Sequence, residues 1–285
     1  MAKIVGVHGV GNEFRGASIL HATWFPALRD GLAHTNRPIE PHDLHCAFYG
    51  DLFRPPERVL AGGVPWYTAD DLTEDDERTL LMLWWAQAAA TDPAVLPAEA
   101  RTLARTPRGA QAALRALSGS RFFAGVAERG MVFSLKQVRR YFTEEAVRDR
   151  IRQRIESAIG PDTRVLIGHS LGSVVAYEAL CAHPEWPVRA LVTLGSPLGI
   201  RNLVFDRLRP PPSNDGMGVW PGSVRNWTNI CDEGDVVALH KDLRGLFGED
   251  VRCIQVHCGA RAHDASRYLT TRAVGQAVTA GLGDV

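Results

Sequence analysis

Gly168-His169-Ser170-Leu171-Gly172 places a serine between two glycines. The apolar run Val165, Leu166, Ile167 precedes it, and a helix-like run with Val174, Val175, Tyr177 and Leu180 follows. A serine at such a strand-to-helix turn is held in a strained backbone conformation, with its Oγ thrust out above the sheet. Glycines two residues either side, here Gly168 and Gly172, avoid clashes where the chain nearly touches itself. The start of the following helix points free N–H groups at developing negative charge. The chemistry suited to this arrangement is attack by Ser170 on an acyl group. The competing reading is a serine in an ordinary glycine-rich turn, which the strand–turn–helix context disfavours.

With that motif the chain resembles the α/β-hydrolase superfamily, in its lipase, esterase and thioesterase branch. The resemblance covers roughly residues 1–50 and 143–285. It implies that the loop His8-Gly9-Val10 after the first strand offers the Val10 N–H to an oxyanion, with the Leu171 N–H as second donor and His8 shaping the loop. A phosphate-binding reading of that loop fails, because Gly6-Val7-His8-Gly9-Val10-Gly11 does not give the G-x-G-x-x-G order. Asp30 also lies in a helix-like run rather than ending a second strand.

The order of the superfamily is serine, acid, histidine. Asp232 and Asp235 both follow a late strand, and Asp235-Val236-Val237 looks like the turn that carries the acid in lipase-like relatives. Asp235 is the expected acid, ahead of Asp232 and Glu233. The acid that is not used should serve local backbone N–H groups. Of the late histidines, His263 sits in a loop beyond the last strand and is the expected base. His257 reads as a core histidine within that strand, and His240 as a surface or packing residue.

These side chains need a scaffold. Six near-continuously apolar or β-branched runs read as buried parallel strands: 3–9, 44–50, 164–170, 188–196, 224–232 and 251–259. A helix capped by Thr143 is expected to carry Val147, Ile151, Ile155 and Ile159 on one stripe and to stop at Gly160-Pro161. Alternation of strands and helices predicts an α/β fold, a mostly parallel sheet of about six strands flanked by helices. The core domain is 1–50 with 143–285, and 51–142 is a helical insertion that could cap the site. Its clearest helical pieces are 73–90 and 97–119.

The insertion is electrically uneven, with nine acids against Arg58 and Arg78 over 57–99, and thirteen basic residues against four acids over 101–154. That pattern fits two solvated faces that partly pair, or a basic face for an anionic substrate or partner. Its large apolar residues, Trp66, Tyr67, Met82, Trp84, Trp85, Phe122, Phe123 and Phe133, could cover an acyl-binding cleft or form the insertion's own core. The Pro- and Gly-rich stretch 206–223, with Trp220, reads as a loop and a candidate lid.

Lys+Arg and Asp+Glu are both 32, so no basic surplus points to nucleic acid. The longest apolar run, 80–90, is too short to span a bilayer. The N-terminus has no signal-peptide pattern, and a cytoplasmic location is expected. Among five cysteines, Cys46, Cys231 and Cys253 fall in strand-like runs and read as buried free thiols, and Cys258 as a plain thiol. His42, His45 and Cys46 form the one local cluster, but neighbouring strand residues face opposite ways, so no metal is expected. No cofactor is expected either. The expected function is cleavage of a carboxylic ester of a lipid-like or other small-molecule acyl substrate. A thioesterase, or an acyltransferase or cyclase, would use the same residues. The alternatives of another class are a non-catalytic interaction module on the same fold and a membrane-acting phospholipase effector.

Overall fold

Each of the six apolar runs forms a strand in the computed structural model, which describes residues 1–54, 67–98, 107–120, 128–259 and 261–283. The strands are β1 (Ile4–Val7), β2 (Leu44–Ala47), β3 (Val165–His169), β4 (Ala190–Leu194), β5 (Asn226–Asp232) and β6 (Arg252–Val256). All pairings are parallel and the order is β2-β1-β3-β4-β5-β6. The expected α/β class and strand number are therefore observed.

Parallel strands buried on both faces split their side chains between two cores. Ile4, Val165, Ile167, Val192 and Ile230 enter one core with Leu28 and Leu32 of α1 (Ala17–Ala33) and Val274 and Val278 of α9 (Arg272–Leu282). Val5, Val7, Leu166 and Leu191 enter the other with α6 (Leu171–Ala182) and the insertion. Between β5 and β6 lies the single turn α7 (Arg244–Phe247), and before α9 the short α8 (Ala265–Leu269).

The insertion contributes α2 (Asp75–Thr91), α3 (Pro107–Ser118) and α4 (Glu128–Thr143). Trp84, Trp85, Leu114, Met131 and Leu135 join the same buried cluster as Val5 and Leu166. Its opposite charges meet: Arg139 pairs with Glu74 at 3.0 Å and Asp76 at 3.5 Å, and Lys136 with Glu77 at 3.6 Å. Tyr67 stacks on Phe133 and Met82 packs at the core margin. Trp66, Phe122 and Phe123 lie outside the described residues.

Four expectations are corrected. Thr143 does not cap the next helix. It ends α4, its hydroxyl donates to the Arg139 carbonyl, and α5 (Glu145–Glu156) starts behind Glu144. α5 also stops before Ile159, because the backbone already tightens into a turn after Glu156. His257 is not a core residue: β6 ends at Val256, and the His257 side chain is 81% exposed. Cys253 is only half-buried because β6 is the sheet edge, whereas Cys46, Cys231 and Cys258 are buried; all five cysteines are free thiols. No helix among the described residues is long and apolar enough to cross a membrane.

Candidate active site

The strand order reverses between β1 and β3, since β1 continues to β2 on one side and β3 to β4 on the other. Crevices at the carboxyl ends of strands at such a switch point are where open α/β sheets bind ligands. The loop after β1 and the turn after β3 meet there.

Ser170 is the N-cap of α6 and adopts φ 54°, ψ −129°, a region that L residues avoid. The surroundings hold it there. Its N–H donates to the Leu194 carbonyl at 2.9 Å, and its own carbonyl accepts from the Ser173 N–H at 2.9 Å and the Ser173 hydroxyl at 2.6 Å. The flanking space is tight. A Cβ on Gly9 would lie 2.6 Å from the Ser170 Cβ, one on Gly168 2.5 Å from the Ser173 Cα, and one on Gly172 2.2 Å from the Val7 carbonyl oxygen. Gly9 and Gly172 thus let the β1 loop approach the serine turn, and Gly168 lets that turn close on itself.

His8 is buried and stacks on Tyr49 with ring centroids 4.1 Å apart. The Tyr49 N–H donates to His8 Nε2 at 3.2 Å, so the proton sits on Nδ1 and is donated to the Gly9 carbonyl at 2.7 Å. Burial pushes this imidazole down to about 4, against the opposing effect of the Gly9 hydrogen bond, so it is neutral near pH 7. The Tyr49 hydroxyl donates to the His8 carbonyl. Asn12 Nδ2 donates to the carbonyls of Gly9 and Val10 at 3.0 and 3.2 Å, and the Gly11 N–H donates to Gln137 Oε1 at 3.2 Å. With the loop carbonyls bound this way, the N–H groups of Val10 and Leu171 make no hydrogen bond among the described residues.

His263 follows β6 in the loop before α8, and its Nδ1–H donates to Asp235 Oδ2 at 2.7 Å. Asp235 is fully buried after β5. It also accepts from the Tyr268 hydroxyl at 2.7 Å and, on Oδ1, from the Val237 N–H at 2.9 Å. Burial would raise its pKa, but the attraction of His263 and the hydrogen bonds from His263 and Tyr268, with Lys241 nearby, prevail and hold it down at about 2. In the neutral imidazole, with Nδ1–H committed to Asp235, the lone pair is on Nε2. Asp232 is spent locally: it accepts the Gly234 N–H at 2.8 Å and the Cys258 N–H. Glu233 and His240 are exposed.

Ser170 and His263 face one cleft of about 640 Å³. His8, Gly9, Val10 and Leu171 line its base, and Leu80, Trp84, Phe133, Val138 and Phe142 of the insertion line its wall. The insertion aromatics therefore divide, with Trp84 both buried and facing the cleft, while Trp85 donates its indole N–H to the Leu96 carbonyl. No described residue of 206–223 lines the cleft; Ile200 and Val204 just before it do. The 206–223 loop is instead tied to the body through Trp220 against Trp227 and the Tyr177 hydroxyl on the Val219 carbonyl at 2.8 Å.

Four partners escape a reading of the sequence. His169, the residue before the serine, donates Nε2–H to the His263 carbonyl at 2.9 Å. Burial, then the charge of His263, pushes it down to about 3. Tyr268 bonds Asp235, and it accepts the Asp232 N–H at 2.8 Å. Gln137 holds the β1 loop. Gly195, at φ +53°, leaves room where a Cβ would lie 2.5 Å from Asp235 Oδ2 and 3.0 Å from His263 Nδ1. Only Gly195 carried a signal, as the end of a strand beside Ser196-Pro197. Among the described residues, no group of three His, Cys, Asp or Glu side chains is placed to hold a metal. Compared with known proteins, the chain matches no family model, no curated protein and no solved structure.

Proposed function

We propose that this chain is a serine hydrolase that cleaves a carboxylic ester through an acyl-enzyme on Ser170. The observation that carries the reading is the hydrogen bond between buried Asp235 and His263, which lines the same cleft as the strained Ser170. His263 Nε2 takes the Ser170 proton as Oγ attacks the ester carbonyl, and Asp235 steadies the resulting imidazolium. The N–H groups of Val10 and Leu171 receive the tetrahedral oxyanion, which is worth several kcal/mol in such sites. Collapse expels the alcohol, which takes the proton from His263. Water, deprotonated by His263, then attacks the acyl-enzyme and releases the carboxylic acid and free Ser170. A thioester would react by the same steps, and an alcohol or amine in place of water would give transfer or cyclisation.

The test is labelling of the purified protein with an uncharged fluorophosphonate, read as intact mass. A single adduct on wild type, absent from Ser170→Ala and strongly slowed in His263→Ala, supports the reading. A folded wild type that takes no adduct and cleaves no ester or thioester would move the assignment to a non-catalytic interaction module on this fold.

A further inference from the structure

The cleft has two chemically different sides. α2 and α4 present Leu80, Trp84 and Phe133, a wall suited to an acyl chain. α1 packs against α8, and the residues just ahead of these two helices, Arg15 and Arg261, both line the same cleft. Both arginines are exposed, and among the described residues neither guanidinium makes a hydrogen bond or ion pair. Arginines elsewhere are engaged: Arg139, Arg140, Arg148, Arg209 and Arg244 all pair with carboxylates.

Neither of the two carboxylates in the lining forms an ion pair with them among the described residues. Glu13 is buried and accepts from Gln137 Nε2 at 2.9 Å, and Asp264 caps α8 by accepting the Ser266 N–H at 2.8 Å. The strong donors left open in the cleft are therefore the two guanidinium groups. A second observation concerns the backbone. Arg261 sits at φ +70°, a left-handed conformation that glycine or asparagine would adopt at lower cost. A bulky cation held there, two residues before His263, is kept against local preference, as happens where a side chain serves a site.

We propose that the cleft selects acyl esters whose alcohol portion carries an oxyanionic group, phosphate or carboxylate, held by Arg15 and Arg261. This rests on the reading of Ser170 as the ester-cleaving nucleophile. The acyl chain lies along Leu80, Trp84 and Phe133, the carbonyl sits at Ser170, and the alcohol portion points to the guanidinium pair. Planar guanidinium donors match both anions in bidentate geometry.

The experiment compares 1-decanoylglycerol 3-phosphate with 1-decanoylglycerol, both below their aggregation limits, on the full chain. Wild type should show kcat/KM at least 10-fold higher for the phosphate ester. That ratio should fall at least 10-fold in Arg15→Gln/Arg261→Gln and in Arg261→Gly, which removes the cation while keeping the left-handed backbone accessible, and Arg261→Lys should restore part of it. A parallel arm measures decyl phosphate binding to Ser170→Ala by calorimetry, expecting a 10-fold or greater loss on adding the two Arg→Gln changes and a loss on raising salt. Equal ratios in wild type and double variant overturn the proposal while leaving the hydrolase reading intact. If Ser170 takes no fluorophosphonate and no ester or thioester is cleaved, the hydrolase reading fails, and the binding arm still decides the anion site: affinity for decyl phosphate indifferent to both arginines overturns it.

Discussion

Gln137 and Gly11 stand 126 residues apart in the chain, and the Gly11 N–H donates to the Gln137 side-chain carbonyl at 3.2 Å. The amide end of the same side chain donates to Glu13 at 2.9 Å, and Gln137 is buried. The insertion therefore grips the β1 loop on either side of Asn12. Changing Gln137→Ala should leave the loop unanchored and lower ester kcat by about 10-fold or more with a smaller change in KM, since a hydrogen bond of this kind is worth about 1–3 kcal/mol. The check is steady-state kinetics beside a thermal melt; kcat unchanged in a folded variant would separate the insertion from the proposed oxyanion donors, the Val10 and Leu171 N–H groups.

Gly195→Ala tests the space between Asp235 and His263. The new methyl group would lie 2.5 Å from Asp235 Oδ2, at a residue with φ +53°. The expected result is a stability loss of about 1–3 kcal/mol from strain and overpacking, with the Asp235–His263 bond displaced and fluorophosphonate labelling slowed at least 100-fold. Labelling at the wild-type rate in a folded Gly195→Ala protein would mean that this hydrogen bond does not support the serine.

Tyr268→Phe removes one donor from Asp235 and leaves the Asp232 N–H without its acceptor. A stability cost of about 1–2 kcal/mol is expected. The Asp235 carboxyl should titrate above its value of about 2 in the folded protein, read by carbon-13 NMR of labelled aspartate. An unmoved Asp235 signal would show that the tyrosine is only a packing residue.

Buried His8 and His169 are held at about 4 and about 3, below the ordinary 6.5, with burial the leading cause for both. The unfolded chain therefore binds more protons than the folded one once the pH drops below about 6.5. Each group's contribution to stability is complete above that value and is lost as pH falls toward about 4 for His8 and about 3 for His169. Within that window, His169→Gln should reduce the slope of unfolding free energy against pH by about 1.4 kcal/mol per pH unit, measured by urea titration at several pH values. An identical slope in wild type and variant would mean His169 is protonated in the folded state.

How much could be read along the chain follows from the range of each interaction. The strands, the Gly168–Gly172 turn and the helix after Ser170 depend on neighbours a few residues away, so apolar runs and glycine spacing were enough to locate them. The choice of Asp235 and His263 as candidates rested on chain order and resemblance, and Asp232 stayed open as a rival acid. Tertiary structure separates the two aspartates: the β5 end turns Asp232 onto the N–H groups of Gly234 and Cys258, and turns Asp235 toward His263. Local pattern misplaced His257 because it could not show that β6 is an edge strand ending one residue earlier. It also missed the cap of α5, where Thr143 binds backward into the preceding helix. Gln137, His169 and Tyr268 left no mark in the sequence at all. Their roles exist only because parallel strands far apart in the chain lie side by side, bringing three polar groups to the ends of β1, β3 and β5, and no periodicity within one segment encodes a contact between segments.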